Sequence, residues 1–516
     1  MSNMMTPDTM FDELQLAMRL NEIDIPALSK ELEVNMEKAL NITGSTSLTN
    51  ISQMTGGKAI TLENVERYIQ RLYHDTTDFT VTKLIPEENV SSLMDRFAIK
   101  NGTGSKTDGE VSYGTATTEL GFPANVDATF VHLIEQSKFL RTVNSMSHVM
   151  ETAKNSIIKA ETELKEDGSL IIAEAAELTN IFGDKAVFPT QYDGLLKIAE
   201  NINDTGGDLR AKFNLKKDII VDLRGAALVE GDMLEALETM DENFCTGSHA
   251  VMSKSLRTYL DKVELTDSTR YTRKRGDKAA SYGTLAGMPV MGLDAANARD
   301  NILKFIGNRY LPSGDDTGSK CPSASGGTAP TAPDTVTAAV EADSDSLFLA
   351  STAWTGSYWY KVVAVDKDGY ATAVAISGAV VVADGEKVTL TINHGSDSAK
   401  APSGFKIYRS EKNAVTADDC RKIGQVAISA TTETEYEDLN GNLPATAKQL
   451  ILDLPKQPRL RGISYRKLLP FFRMPIYFGY NGVFGWSYAY GKYGYLRVNR
   501  PSIIVIKNIA IPGHGF

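Results

Sequence analysis

The stretch Val143-Asn-Ser-Met-Ser-His-Val-Met-Glu-Thr-Ala-Lys-Asn-Ser-Ile-Ile-Lys-Ala-Glu-Thr-Glu-Leu164 carries the cleanest helical signal in the chain. Val143, Met146, Met150, Ala153, Ile157, Ala160 and Leu164 recur at spacings of three and four, which predicts one apolar stripe on a helix of about six turns. Asp167-Gly168 reads as its stop, and a shorter helix, Leu170–Phe182, follows before Gly183. Upstream lies a strand signal at Ala128–Ile134. Before that, Ile99–Ala124 is a polar stretch punctuated by Gly102, Gly104, Gly109, Gly114 and Gly121, with Val111, Tyr113 and Leu120 among its few apolar side chains. A stretch of that length without a buried face is either a functional extended loop or a flexible one.

Working outward, residues 1–75 read as short helices, with a proline-bearing cap at Thr6-Pro7-Asp8 and further helices over Ile25–Leu40 and Leu62–Tyr73. Residues 216–310 alternate strand and helix: Asp218–Val221, Leu228–Met240, Ala250–Met252, Ser253–Lys262 and Met288–Leu293. That is a mixed α/β unit without the Gly-rich turn of a dinucleotide fold. Pro312–Pro333 is a Gly/Ser/Pro/Thr linker. Beyond it helix periodicity disappears up to about Pro444, replaced by strands at Tyr358–Val365, Ala375–Val382, Lys387–Ile392, Phe405–Tyr408 and Ile423–Ile428. These predict an inserted all-β sandwich of immunoglobulin size.

Composition bounds the rest. The chain has 516 residues, 42% apolar and 23% charged, the profile of an ordinary water-soluble globular protein of several domains. No apolar run approaches the ~18 residues of a membrane span. Asp8, Asp12 and Glu13 precede any apolar block, so no secretory signal is expected and synthesis in a cytosol is. Cys245, Cys321 and Cys420 have no short spacing and support neither a disulfide framework nor a zinc site. Formal net charge is −11, which argues against a surface coated by nucleic acid. Yet from Lys456 to Phe516 there are ten Lys or Arg and no Asp or Glu. The acidity lies upstream of a basic end.

Catalytic and cofactor signals are weak. Gly102-Thr-Gly-Ser-Lys-Thr107 lacks the Gly directly before Lys that a phosphate loop needs. The six histidines form no metal-ligand spacing, and Gly247-Ser248-His249 sits in no nucleophile elbow. Glu161, Glu163 and Glu166 read as a solvated or subunit-facing run. No catalytic residue, cofactor or metal is expected. Between Tyr465 and Tyr495, aromatics such as Phe471, Phe472, Tyr477, Trp486 and Tyr490 interleave with Arg466, Lys467, Arg473 and Lys492. Such a mixture suits a single-stranded nucleic-acid platform. The favoured reading is that the aromatics fill a sheet core and interfaces while the cations meet acidic neighbouring copies.

Taken in order, the Gly-rich loop, the long helix, Phe188-Pro-Thr-Gln-Tyr-Asp-Gly-Leu-Leu196, Ala250-Val-Met-Ser-Lys-Ser-Leu-Arg-Thr-Tyr-Leu260, Leu285-Ala-Gly-Met-Pro-Val290 and Tyr493-Gly-Tyr-Leu-Arg-Val-Asn-Arg-Pro501 resemble the major capsid proteins of tailed bacteriophages. The resemblance implies an α+β Hong Kong 97-type fold divided as follows: 1–95 N-terminal arm or scaffold-like segment, 96–125 extension loop, 126–215 peripheral domain, 216–311 axial domain, 312–333 linker. Residues 334–446 would be an immunoglobulin-like or fibronectin type III-like insertion, and 447–516 a return to the axial and peripheral domains. Trp359-Tyr-Lys-Val-Val-Ala-Val365 and Gly404-Phe-Lys-Ile-Tyr-Arg409 resemble strands of such sandwiches in reversed order, as in a circular permutation or in a sandwich of only generic kind.

By the same resemblance, Lys106, Val111, Tyr113, Leu120, Phe122, Arg466, Lys467 and Arg473 would lie at subunit interfaces. Val143, Met146, Met150, Ile157 and Leu164 would form the core face of the spine helix. The implied partners are further copies of the chain in hexamers and pentamers, a portal, scaffold, protease or decoration proteins, and packaged double-stranded DNA, with no membrane. The location would be the virion, after assembly in a bacterial cytoplasm. The alternative is a phage adhesin or tail component binding carbohydrate through the sandwich.

Overall fold

The computed structural model describes residues 79–102, 129–147, 160–266, 303–313 and 332–512, interrupted at 366–370, 376–377, 395–401, 455–461 and 481–482, with short pieces at 284–285, 288–289, 321 and 330. All of these belong to one compact unit. The helices expected in residues 1–75 lie outside the described residues.

Ile503-Ile-Val-Ile-Lys-Asn-Ile509 is apolar on both alternations, the pattern of a strand covered on both faces. With Ala447–Leu452 it forms the centre of a five-stranded mixed sheet. In chain order its strands are β5 (Ile220–Asp222), β6 (His249–Ser253), β9 (Lys304–Asn308), β19 (Ala447–Leu452) and β22 (Ile503–Ile509). Their spatial order is β5-β22-β19-β6-β9. Helix α3 (Leu195–Asn203) buries Leu195, Leu196, Ala199 and Ile202 against this core, positions that share one helical face. Helix α5 (Glu230–Glu242) adds Met233, Ala236 and Met240.

A second sheet has the order β1-β20-β21-β4, from β1 (Glu87–Asn89), β4 (Lys138–Ser147), β20 (Ile463–Tyr480) and β21 (Val483–Val498). Helix α2 (Ala160–Phe182) lies against it, burying Ile172 with Tyr488 and Tyr490. Here the structure corrects the helix read from Val143 to Leu164. Val143 and Met146 are in β4, paired with Ala489 and Trp486. Val143 is exposed, whereas Leu164 is partly buried in α2; Met150 and Ile157 lie outside the described residues. The Val-Asn-Ser-Met-Ser run has weak helix propensity, and a waiting strand overrides its three-four spacing. The expected stop at Asp167-Gly168 is absent as well, because α2 runs through it. A Cβ at Gly168 would collide with the Tyr490 ring, so this glycine makes room for an aromatic rather than ending a helix.

Residues 79–95, the described part of the expected arm, are held against the rest of the body. Glu177, fully buried on α2, accepts hydrogen bonds from the amides of Val81 (2.9 Å) and Thr82 (2.7 Å) in α1 (Thr80–Leu84), from Thr82 Oγ1 (2.7 Å) and from Asn308 Nδ2 (2.7 Å) at the end of β9. Asn308 Nδ2 also donates to Thr80 Oγ1 (2.8 Å), and Asn180 bridges Thr82 and the Tyr192 hydroxyl. Backbone donors converging on one buried carboxylate make α1 part of the body rather than a detachable segment.

The sandwich region holds a three-stranded sheet, β10-β15-β18 (Thr335–Ala342, Glu386–Asn393, Glu433–Asp438), and a four-stranded sheet, β13-β12-β16-β17 (Ala371–Ala375, Tyr360–Val365, Gly404–Arg409, Arg421–Ala427). Val388, Leu390 and Ile392 of the first share a core with Tyr360, Val362, Phe405 and Ile407 of the second. Thr335–Ala342 and Glu433–Asp438 escape the sequence reading, being short on branched apolar residues at successive alternations. Within the core, the fully buried Arg409 guanidinium donates to Asp438 (2.6 Å) and Asn440 (2.6 Å), and stacks 5.1 Å over Phe348 and Tyr358. The four-stranded sheet is covered on its other face too, where Val363, Val365 and Tyr408 meet Val187 and Phe188. This sheet is therefore seated on the body.

Beside that seat, half-buried Lys422 donates to Gln425 Oε1 (2.9 Å), which in turn donates from Nε2 to Asp184 (3.1 Å). Burial, reinforced by Lys406 and Lys448, pushes the Lys422 ammonium down to about 7 from 10.5. Between those values the unfolded chain holds a proton that the folded chain lacks, so stability rises with pH across that window and the penalty is fully present below it. Urea midpoints at about pH 7 and pH 10 are expected to show this rise, and Lys422→Met to raise the lower midpoint and flatten the slope. For the Glu177 knot, Glu177→Gln turns an amide NH2 toward amide donors. It is expected to cost about 3 kcal/mol in denaturant unfolding.

Candidate interaction surface

The basic end of the chain finds its acids within the same molecule. β1 pairs in parallel with the start of β20, setting Glu87 opposite Tyr465 and Glu88 opposite Arg466. Arg466 then pairs with Glu88 (2.9 Å), while Glu87 bridges Lys467 (3.1 Å) and Lys492 (3.0 Å). Asp95 accepts from the Tyr495 hydroxyl (2.5 Å) and lies 3.7 Å from Arg497, whose guanidinium caps the Phe97 ring at 3.9 Å. Arg466 and Lys467, expected to meet neighbouring copies, thus have their charges answered by Glu88 and Glu87. Arg473, further out on β20, is exposed. Sequence reasoning missed these acids because Glu87, Glu88 and Asp95 lie nearly four hundred residues upstream.

The aromatics divide in the same way. Tyr465, Tyr488, Tyr490 and Tyr495 are buried, whereas Phe471 stays 46% exposed. Past Lys467, β20 has no partner on its outer side among the described residues, and Pro470 and Pro475 fall in that stretch. Proline lacks the amide proton that would recruit another strand, so the edge is blunted. Its side chains still present Leu469, Phe471 and Met474 to solvent, joined on β4 by Phe139 and Val143.

A second apolar surface lies on the two-stranded ribbon of β2 (Met94–Gly102) and β3 (Thr129–Gln136). Its inner alternation carries Phe97, Val131 and Leu133. Its outer face pairs Arg96 with Ile134, Ala98 with His132 and Lys100 with Phe130, and every one of these six residues is exposed. Phe130 is 61% and Ile134 56% exposed. This outer face thus sets two large apolar side chains among exposed polar and charged ones, while the inner face meets the long hairpin. The expected loop Ile99–Ala124 begins as this strand. Lys106, Val111, Tyr113, Leu120 and Phe122 lie outside the described residues.

No catalytic arrangement emerges among the described side chains. Ser248 Oγ and His249 Nδ1, neighbours in the chain, lie 2.8 Å apart. The same hydroxyl donates to the Leu452 carbonyl (3.0 Å) and accepts from the Leu454 amide (3.0 Å), so it stitches β6 to the end of β19. Burial and the Lys304 ammonium lower the His249 pKa, favouring the neutral ring. Among the described residues no cluster of three His, Cys, Asp or Glu is placed to hold a metal, and no helix is long and apolar enough to cross a membrane.

No protein-family model matches the chain, and no curated protein does. Among solved structures, the chain is similar to the capsid of a native GTA particle, at 9% identity, 90% coverage of this chain, 100% of that one and a TM-score of 0.40. It is similar also to the capsid of the cyanophage P-SCSP1u, at 11% identity, 90% and 98% coverage and a TM-score of 0.40. The holo-SrpI encapsulin complex from Synechococcus elongatus matches at 9% identity, 87% and 94% coverage and a TM-score of 0.36.

Burial raises the Glu87 pKa, but Lys492 and Lys467 outweigh it and hold the carboxyl below its usual 4.5. A depressed carboxylate stabilises the fold fully above about pH 4.5, and that contribution is lost as pH falls through the folded value. Acid titration of the unfolding midpoint is expected to show a steeper fall below pH 4.5 in the native chain than in Glu87→Gln, which starts lower at neutral pH.

Proposed function

We propose that the chain is the major capsid protein of a tailed bacteriophage, a structural subunit of Hong Kong 97-type fold with no catalytic role. Copies assemble into hexamers and pentamers that close an icosahedral head around double-stranded DNA, in contact with portal, scaffold or protease partners, and reside in the virion. The observation that carries this reading is the outer face of the β2–β3 ribbon. The ribbon rests its inner face on the long hairpin through Phe97 and Asp95 but displays Phe130 and Ile134 to water on its outer face, and a second copy of the chain supplies a surface that covers them. In this reading residues 96–125 form an extension loop laid over a neighbour, α2 is the long helix of the peripheral domain, and the five-stranded sheet belongs to the axial domain. Residues 334–446 form a fibronectin type III-like domain facing outward, with its four-stranded sheet seated on Val187 and Phe188.

Sedimentation velocity and negative-stain microscopy of the full-length chain test the reading. Concentration-dependent formation of closed particles is expected. Phe130→Asp with Ile134→Asp is expected to keep the native circular dichroism spectrum while leaving a slowly sedimenting monomer. A native chain that stays monomeric at every concentration, alone and with co-expressed scaffold, overturns it.

A further inference from the structure

Cys321 and Cys420 are about a hundred residues apart in the chain, yet the amide of Cys321 donates to the carbonyl of Cys420 (3.1 Å). That bond sets the two backbones side by side, the kind of close approach a disulfide requires, with Cα atoms roughly 4.4–6.8 Å apart. Both side chains enter the same apolar cluster, formed by Val187, Phe188, Val363, Val365 and Tyr408 on the seated face of the sandwich. Cys420 is fully buried, with Sγ 3.8 Å from the Trp359 carbonyl oxygen, whereas Cys321 is partly exposed and open to a reagent. Lys361 of β12 bears on both sulfurs, and Asp418 and Asp419 oppose it at Cys420. Cys245 is buried in the separate core of the five-stranded sheet.

We propose that Cys321 and Cys420 form a disulfide when the protein leaves a reducing medium, pinning the linker to the entrance of β17. The oxidant is a small-molecule disulfide. Cys321, as thiolate, attacks one of its sulfurs; the oxidant's S–S bond breaks, and the departing thiolate takes up a proton equivalent to the one Cys321 gave up. Cys420 then loses its proton and attacks Cys321 Sγ, releasing the second small thiol. Two protein thiols are oxidised and one small disulfide is reduced to two thiols. Burial keeps both protein thiols protonated at rest, Cys420 up to about 12, and the Lys361 ammonium offsets part of that cost as each thiolate forms. The closed loop contains β10 to β16, so the bond restrains the unfolded sandwich and leaves its folded geometry in place. This inference stands apart from the shell reading, because it concerns one chain.

The test uses the full-length chain purified with reductant and transferred into oxidised glutathione. A chromogenic thiol titration in denaturant is expected to fall from three thiols to one, and a non-reducing peptide map to show one cross-link, Cys321 to Cys420. Cys321→Ser is expected to keep both its remaining thiols, while Cys420→Ser holds one glutathione on Cys321, the trapped first step. Oxidised native protein is expected to melt above the reduced form, a difference that Cys321→Ser abolishes. Three persisting thiols, stable glutathione on Cys321 of the native chain, or a cross-link through Cys245 would each overturn the proposal.

Discussion

One buried carboxylate sets the relation between the parts of the body. Glu177 has no exposed surface, and four donors from α1 and the end of β9 converge on its two oxygens. A charge taken out of water is tolerated only when such donors are held in place, and holding them fixes the segments that carry them. α1 is thereby pinned to α2 and to the five-stranded sheet, and β1 follows a few residues later. From β1 the parallel pairing to β20 is determined, and with it the meeting of Glu87 and Glu88 with the cations of the long hairpin.

The hairpin shows a division of labour along its length. Near β1 its charges are answered and its tyrosines buried; beyond Lys467 the edge turns proline-bearing while Leu469, Phe471 and Met474 meet water. Proline blocks uncontrolled strand addition but leaves side-chain docking open. The ribbon β2–β3 follows the same logic, with Arg96 and Lys100 set among Phe130 and Ile134 on its outer face. In the proposed assembly this apolar area would supply the drive for association, and the interleaved cations would limit which partner fits.

The sandwich is buried on both faces of its four-stranded sheet, which explains why Tyr360–Val365 reads as a nearly continuous apolar run. Its own core is organised by the ion pair of Arg409 with Asp438, a costly device in apolar surroundings that specifies how the two sheets meet. The seat on Val187 and Phe188 makes the four-stranded sheet continuous with the body.

Local pattern in the sequence was enough for α5 and α6 (Lys254–Thr266) and for the sandwich strands β12, β15, β16 and β17. It also made plain that the basic end needed an explanation. What it could not contain is the identity of partners. Val143 to Ser147 has a helical spacing but is a strand because Trp486 to Ala489 lies ready to pair with it, and Gly168 continues a helix because the Tyr490 ring occupies the space of its missing side chain. The acids that answer the cations, the donors that satisfy Glu177 and the closeness of Cys321 to Cys420 depend on segments that meet only after folding. Periodicity is a property of neighbours along the chain, whereas satisfying a buried charge or filling a gap depends on neighbours in space, and only the tertiary structure decides who those are.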